Sequence, residues 1–252
     1  MVVGEETDTI AIIQARASSS RLPGKVLKHV NGRPILEWQI LRALQTKNIS
    51  RVILATSDQP SDDETAKVGA RCGIPIIRGN LENVLSRFVK VINQFNPKTV
   101  IRITGDCPLY MPRMCETMLS KFSEIEVDYL SNTLTPTFPD GCDIEIFTSS
   151  SLLQIEKMHL NPHELEHVTP GIYRRKELFR CVNFTNIKDE SVHRWTLDTQ
   201  EDLDFISAVY AYFTDREIVF TYNEVMEFLR ENPRSARYDS GFMRNSGSSN
   251  EK

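Results

Sequence analysis

The sequence predicts an α/β protein: a mostly parallel sheet, mixed at its margins, covered by helices on both faces. Two observations carry this. Apolar runs of strand length alternate with helix-period stretches along nearly the whole chain, the pattern of strand–helix–strand units. No internal repeat and no linker rich in Gly, Pro or Ser divides the 252 residues, so a single domain is expected.

TIAIIQA (9–15) reads as a buried strand, followed by a loop from Arg16 to Arg33. PILEWQILRALQ (34–45) is an amphipathic helix with Pro34 in its first turn, where a missing N–H costs nothing. RVILATS (51–57) is a second strand. SDDETAKVGARC (61–72) is a helix with acids in its first turn and Gly73 to end it. IPIIRG (74–79), TVIRITGD (99–106) and VDYLSN (127–132) read as strands, separated by helices over 81–95 and 112–122. CDIEIF (142–147) alternates as a half-exposed strand does, and 150–160 and 163–167 look helical. CVNFTNI (181–187) and RWTLD (194–198) close the strands, and 199–213 and 222–231 are the last helices. The domain is therefore expected over 9–231, between a disordered leader (1–8) and a polar, disordered tail (232–252).

Composition narrows the function. With 40% hydrophobic and 25% charged residues the chain is an ordinary globular protein. A net charge of −4 provides no overall basic field for nucleic acid or anionic lipid, though a local anion site is compatible with it. The acidic MVVGEETD lacks the pattern of a signal peptide, and runs such as IAII are too short to span a bilayer. Five cysteines without a C-x-x-C pair suit reduced thiols, so a cytoplasmic setting is expected.

QARASSSRLPGKVL (14–27) places Arg16, Arg21 and Lys25 within ten residues, at the carboxyl end of the first strand. Ligands of open α/β sheets bind beyond those ends, and guanidinium, ammonium and backbone N–H groups there suit phosphate. Neither G-x-x-x-x-G-K-[ST] nor G-x-G-x-x-G is present, so this is neither a P-loop nor a dinucleotide fingerprint. HELEH (163–167) fits the zinc-protease pattern H-E-x-x-H. Pro170 ends that helix three residues on, however, and no third ligand follows at a zincin spacing. His29, His159 and His193 belong to no partner pattern and read as surface or packing residues.

The stretch AIIQARASSSRLPGKVLKHVNGRPILEW resembles the N-terminal signature of the sugar-activating cytidylyltransferases. These include the CMP-KDO and acylneuraminate synthetases, and the likeness is greatest to the spore coat polysaccharide biosynthesis protein F branch. ATSD (55–58), GDCPL (105–109), SNTLTPTFPDGCDIEIF (131–147), EHVTP (166–170) and RWTLDTQEDL (194–203) match later blocks in order. The resemblance implies a three-layer α/β/α fold of the nucleotide-diphospho-sugar transferase type and transfer of a cytidylyl group from CTP to a sugar or sugar acid. Pyrophosphate would leave, in the service of a surface glycan. It also implies contacts to the triphosphate from Arg16, Arg21 and Lys25, with Gln14, Ser18 and Gly24 in the same loop. Ala15, Arg78 and Asp58 in the ATSD segment would lie near the base.

Strands deliver Asp106 and Asp198 to the same end of the sheet, where carboxylates can hold Mg²⁺ against phosphate. Both match metal positions of the family; for Asp198 a helix N-cap is the alternative. Lys25, Arg16, Asp106 and Asp198 are thus the expected catalytic set, with Mg²⁺ as the cofactor. Asp143 and Glu145 fall on one strand face and, with His167 and Arg194, are the expected acceptor contacts. Cys142 stands where an aliphatic residue is expected, and Leu165 where an Arg commonly precedes E-H-V-T-P. Family members are often dimers, which extends the expectation to a homodimer. A nucleotide-sugar-dependent glycosyltransferase and a non-catalytic nucleotide-binding module are the rival readings. The first usually carries D-x-D, which TGDCP lacks; retention of both aspartates argues against the second.

Overall fold

The computed structural model describes residues 8–238. Its centre is β1 (Thr9–Gln14), whose alternate side chains enter two different cores. Ile10 and Ile12 face one side of the sheet, Ala11 and Ile13 the other, and all four are buried. Burying an Ile or Val of this kind contributes roughly 1.5–3 kcal/mol, which is why the strand is apolar throughout.

Around it lie β4 (Arg51–Ser57), β5 (Ile76–Gly79), β6 (Thr99–Thr104), β7 (Tyr129–Ser131), β8 (Glu145–Thr148) and β9 (Cys181–Asn183). The sheet order is β5-β4-β1-β6-β8-β7-β9, and β8 alone runs against its neighbours. The three-layer mixed sheet expected from the sequence is thus present. On one face pack α1 (Ile35–Ala43), α2 (Asp63–Arg71) and α4 (Pro112–Glu124). On the other lie α3 (Val84–Phe95), α5 (Ser149–Glu156), α6 (Pro162–His167) and α7 (Pro170–Tyr173). The last helices, α8 (Gln200–Tyr212) and α9 (Tyr222–Glu231), build a third cluster with Trp38, Phe138 and Trp195, to which no strand of the main sheet contributes. Cys142 is buried in that cluster, its thiol filling the aliphatic slot as a small apolar group. Among the described residues no helix is long and apolar enough to cross a membrane.

The structure departs from the sequence reading in four places. The loop after β1 contains a 3-10 turn at Lys25–Leu27 and a hairpin of β2 (His29–Val30) and β3 (Arg33–Pro34). Asn31 and Gly32 both have positive φ at its tip, the backbone that a two-residue hairpin needs and that Asn-Gly supplies. The strand expected over 142–147 starts only at Glu145, because the Asn132 side chain takes over the ladder. Its Nδ2 donates to Cys142 O at 2.8 Å and its Oδ1 accepts from Ile144 N at 2.9 Å. The strand expected over 194–198 joins no sheet. Trp195 N donates to Asp140 O (2.6 Å) and Leu197 N to Asp106 O (2.8 Å), so the segment ties two loops together while its apolar side chains enter the third cluster. Finally, the chain past Glu231, read as tail, continues in a 3-10 turn at Pro233–Ser235, and Arg194 N donates to Arg237 O at 2.9 Å. Residues 1–7 and 239–252, the rest of the expected leader and tail, lie outside the described residues.

Candidate active site

β1 sits between β4, to which the chain turns first, and β6, to which it crosses later. At such a switch point the loops leave the sheet in opposite directions and open a crevice at the carboxyl ends. Gly105 forms its floor: a Cβ there would stand 2.9 Å from Ala15 Cβ and 3.0 Å from Gln14 O. Above lies a cleft of about 230 Å³, and most of the residues expected to act line it.

Lys25 is the centre of its charge. Its Nζ donates to Leu197 O at 2.8 Å and to Asp198 Oδ1 at 2.9 Å, and lies 3.4 Å from Asp106 Oδ2. Burial alone would lower the Lys25 pKa, but Asp106 and Asp198 outweigh it and hold the ammonium above its ordinary value. Conversely burial would raise Asp106, and Lys25 keeps it below the usual carboxylate range. Asp198 also pairs with Arg21 Nη2 (2.9 Å) and Arg194 Nη2 (2.9 Å). The N-cap alternative for Asp198 is not realised, since Thr199 caps α8 in a reciprocal box with Asp202.

The basic loop is pinned over this pair. Ala17 N donates to Asp62 Oδ1 (2.6 Å), Gly24 N to Ala17 O (3.0 Å), and Ser18 and Arg21 face the cleft. Arg16 reaches across to Glu166 Oε1 at 2.8 Å, joining the loop to α6. Gln14 Oε1 accepts from Arg102 Nε at 2.8 Å on the floor, and Ala15 contributes backbone and a small side chain there.

His167 and Asp143 line the opposite wall. Burial, then Arg102 and His163, pulls the His167 pKa down to about 4, so the ring is neutral at physiological pH. Its orientation is fixed by an unusual turn. Val168 has φ 68° and ψ −68°, and Thr169 N donates to His167 O at 2.8 Å. That is a γ-turn at a β-branched residue, a strained backbone of a kind that collects at functional sites.

Five expected residues are placed differently from the sequence reading. Glu145 does not line the cleft: it lies buried beneath it, paired with Arg102 and accepting from Tyr129 Oη (2.5 Å) and Thr169 Oγ1 (2.6 Å). Its alternation with Asp143 is broken because the strand begins only at Glu145 itself. Arg194 touches the cleft, but its guanidinium holds Asp140 (3.0 Å), Asp198 (2.9 Å) and Asp202 (3.2 Å) and organises carboxylates rather than presenting a charge to an acceptor. Arg78 and Asp58 lie outside the cleft; Arg78 donates to Ser57 O (2.8 Å) and Gln59 O (2.9 Å) and pairs with Asp63. Gly24 underlies the loop without facing the cleft. Gly141 is needed for another reason: at φ 100°, a Cβ there would lie 2.4 Å from Thr196 N.

The sequence reading missed Arg87, Arg102, Asp140 and Asp202, and had Glu166 only as the start of the E-H-V-T-P block. Arg102 stood out as a charge inside an apolar strand, and the register sets it directly opposite Glu145. HELEH, in turn, is taken up by ordinary helix chemistry. Asn161 and Glu164 form a capping box, and Glu164 also pairs with Arg175 (2.5 Å).

A basic-lined cleft at the switch point of a mixed α/β sheet, with a lysine held between two aspartates, defines the class: an α/β nucleotidyltransferase. The chain belongs to the cytidylyltransferase family, whose model matches residues 10–232. It is 33% identical to spore coat polysaccharide biosynthesis protein SpsF of Bacillus subtilis, over 91% of this chain and 97% of that one. It is also 33% identical to 3-deoxy-manno-octulosonate cytidylyltransferase of Escherichia coli, over 44% of each chain. Among solved structures, a cytidylyltransferase from Leptospira borgpetersenii superposes with a TM-score of 0.87 at 29% identity, covering 94% of this chain and all of that one. CMP:2-keto-3-deoxy-manno-octonic acid synthetase complexed with CTP shares the fold, with a TM-score of 0.61 at 20% identity over 81% of this chain and 98% of that one.

Proposed function

We propose that this protein transfers a cytidylyl group from CTP to a hydroxyl of a sugar or sugar acid, releasing pyrophosphate, to activate that sugar for a surface glycan. The observation that carries the reading is Lys25, set between Asp106 and Asp198 beneath a loop that brings Arg16 and Arg21 to the same cleft. An acceptor oxygen attacks the α-phosphorus in line, and the charge that grows on the leaving pyrophosphate is met by these three cations. Catalysis is then positioning plus neutralisation, with no covalent enzyme intermediate. On the other wall, neutral His167 and the Asp143 carboxylate orient the acceptor hydroxyl by hydrogen bonding.

Asp106 and Asp198 suit Mg²⁺, which favours one or two carboxylates with phosphate oxygens and water completing its shell. Both carboxylates reach one Lys25 Nζ, at 3.4 and 2.9 Å, so they are near enough to serve a common cation. When bound, the ion supplies positive charge to the phosphates and lowers the pKa of an oxygen it holds. The test is pyrophosphate release from each of the four NTPs against a panel of sugar acids, sugar phosphates and polyols, with and without Mg²⁺. Release that is specific to CTP, acceptor-dependent and metal-dependent is expected. No release with CTP and any acceptor would refute the reading.

A further inference from the structure

Among the described residues six basic side chains line the cleft: Arg16, Arg21, Lys25, Arg87, Arg102 and Arg194. Five are matched by carboxylates: Arg16 by Glu166, Arg21 and Lys25 by Asp198, Arg102 by Glu145, and Arg194 by three aspartates. Arg87 is only 2% exposed, yet it pairs with no carboxylate among the described residues. Its Nη1 and Nη2 reach Ala55 O and Leu81 O at 3.4 and 3.5 Å, the outer limit of hydrogen bonding, and its Nε has no partner. Burial and neighbouring Arg16 outweigh the attraction of Asp62 and Asp58 and pull its pKa down to about 10, so it stays charged at neutral pH.

Asp62 and Asp58 lie near enough to offset part of its charge but form no ion pair with it, and a buried guanidinium without an ion pair is costly, so proteins rarely keep one without a use. The surroundings also leave space for this one. Gly79 ends β5 against the arginine stem, where a Cβ would stand 3.0 Å from Arg87 Cγ. Arg87 lies on the apolar stripe of α3 with Val84, Phe88 and Val91, so its head is carried under the sheet's carboxyl edge rather than into solvent.

We propose that Arg87 is an anion-binding residue of the cleft, which takes a phosphate oxygen of the nucleotide between itself and Arg16. This rests on the nucleotide reading above. A phosphate offsets the Arg87 charge and the repulsion between the two guanidinium groups together. A neutral pyrimidine carbonyl would accept the Nε–H but leave the charge unmatched, so charge balance favours the phosphate.

The test is titration calorimetry of the full chain with inorganic pyrophosphate, CTP and cytidine, comparing wild type, Arg87→Met and Arg87→Lys, with thermal melts in the absence of ligand. Arg87→Met conserves volume and removes the charge. Its affinity for pyrophosphate and CTP should fall about 10- to 100-fold, the effect of one charge-assisted hydrogen bond, with cytidine binding unchanged. Arg87→Lys should recover part of the loss. The ligand-free melting temperature of Arg87→Met should equal or exceed that of wild type, because an unmatched buried charge is gone. Unchanged pyrophosphate and CTP affinity would overturn the proposal. So would a cytidine loss as large as the CTP loss, which would mean that Arg87 reads the base. A melting temperature lowered by several degrees in both variants would make the residue structural and equally refute it. Pyrophosphate binding does not require CTP to be the substrate. If wild type releases no pyrophosphate from CTP while its anion binding depends on Arg87, the functional reading fails and this one stands.

Discussion

Replacing Lys25 with Met removes the ammonium shared by Asp106 and Asp198 and keeps most of the aliphatic stem. Three contacts vanish: Leu197 O at 2.8 Å, Asp198 at 2.9 Å and Asp106 at 3.4 Å. Removing one partner of a buried pair costs about 3–5 kcal/mol when the other is orphaned. Asp198 is not orphaned, since Arg21 and Arg194 remain, and the Asp106 side chain is 37% exposed and therefore screened by solvent. About 2 kcal/mol is the expected loss, or roughly 4–8 °C in melting temperature for a domain of this size. The loss must depend on pH. Asp106 is held below the usual carboxylate range, so its share is present above that range and disappears as pH falls through the folded value. Lys25 is held above 10.5, so its share is complete below that value and is lost as pH rises through the folded one. The gap between wild type and Lys25→Met, followed by calorimetric melts from pH 2.5 to 11.5, should be flat and widest between about pH 4 and 10, and narrow only as pH falls below the usual carboxylate range or rises above 10.5. Turnover in the pyrophosphate assay should fall about 100- to 1,000-fold, as for loss of one charge-stabilising donor, with a smaller change in the KM for CTP. A gap constant across pH, or a rate within about threefold of wild type, would refute the assignment.

His167 has a folded pKa of about 4 against an ordinary 6.5, so the unfolded chain takes its proton first and stability drains as pH falls from 6.5 toward 4. The ceiling is about 3 kcal/mol, reduced to ~1–2 kcal/mol by the ring's partial exposure; His167→Gln should flatten melting temperature against pH in that window, and an unchanged slope would count against it. Asp202 is fully buried and accepts from Asp198 N (3.0 Å), Thr199 N (3.0 Å) and Arg194. Asp202→Asn should cost about 3–5 kcal/mol, roughly 6–20 °C, and depress kcat through misplacement of Asp198; a melt within 2 °C or so of wild type would contradict this. The Arg16–Glu166 bridge is more than a third exposed on the arginine side, so Glu166→Gln should leave melting within about 2 °C. A bound phosphate then no longer competes with Glu166 for Arg16, and CTP should bind about two- to fivefold tighter by titration calorimetry. Weaker binding would show that Glu166 orients Arg16 instead.

What the sequence disclosed follows from the range of each interaction. β1, β4 and β6 were legible because strands buried on both faces must be apolar without interruption. The basic loop was legible because its charges are local in sequence. Strand ends were not, because side chains decide them: Asn132 replaces two rungs of the ladder, and nothing in the sequence around 142–144 announces it. The carboxylate partners were harder still. Lys25 meets Asp198 across 173 positions and Arg16 meets Glu166 across 150, contacts that only the topology creates. Arg194 and Glu145 were found as charged residues of matching blocks, but their partners, and hence their tasks, were hidden. Arg87 did leave a signal, a charge on the buried stripe of an amphipathic helix, which an apolar-periodicity reading passes over.

The arrangement of charge also bears on how such a cleft coexists with a stable fold. Cations brought this close repel unless each has a carboxylate, and five of the six do. The carboxylates come from segments remote from the basic loop: the end of β6, the 194–202 segment and α6. Matching the loop's charge therefore also ties those segments to it, so the same ion pairs serve stability and assemble the site. The consequence for binding is that phosphate does not gain the full attraction of Arg16, Arg21 and Lys25, but only its excess over the carboxylates already there. Arg87 is the exception: among the described residues no carboxylate forms an ion pair with it, and Asp62 and Asp58 offset its attraction only in part. An anion site built from one unmatched cation amid matched ones obtains affinity without destabilising the whole cleft, and this makes Arg87 the residue at which the charge balance is most open to test.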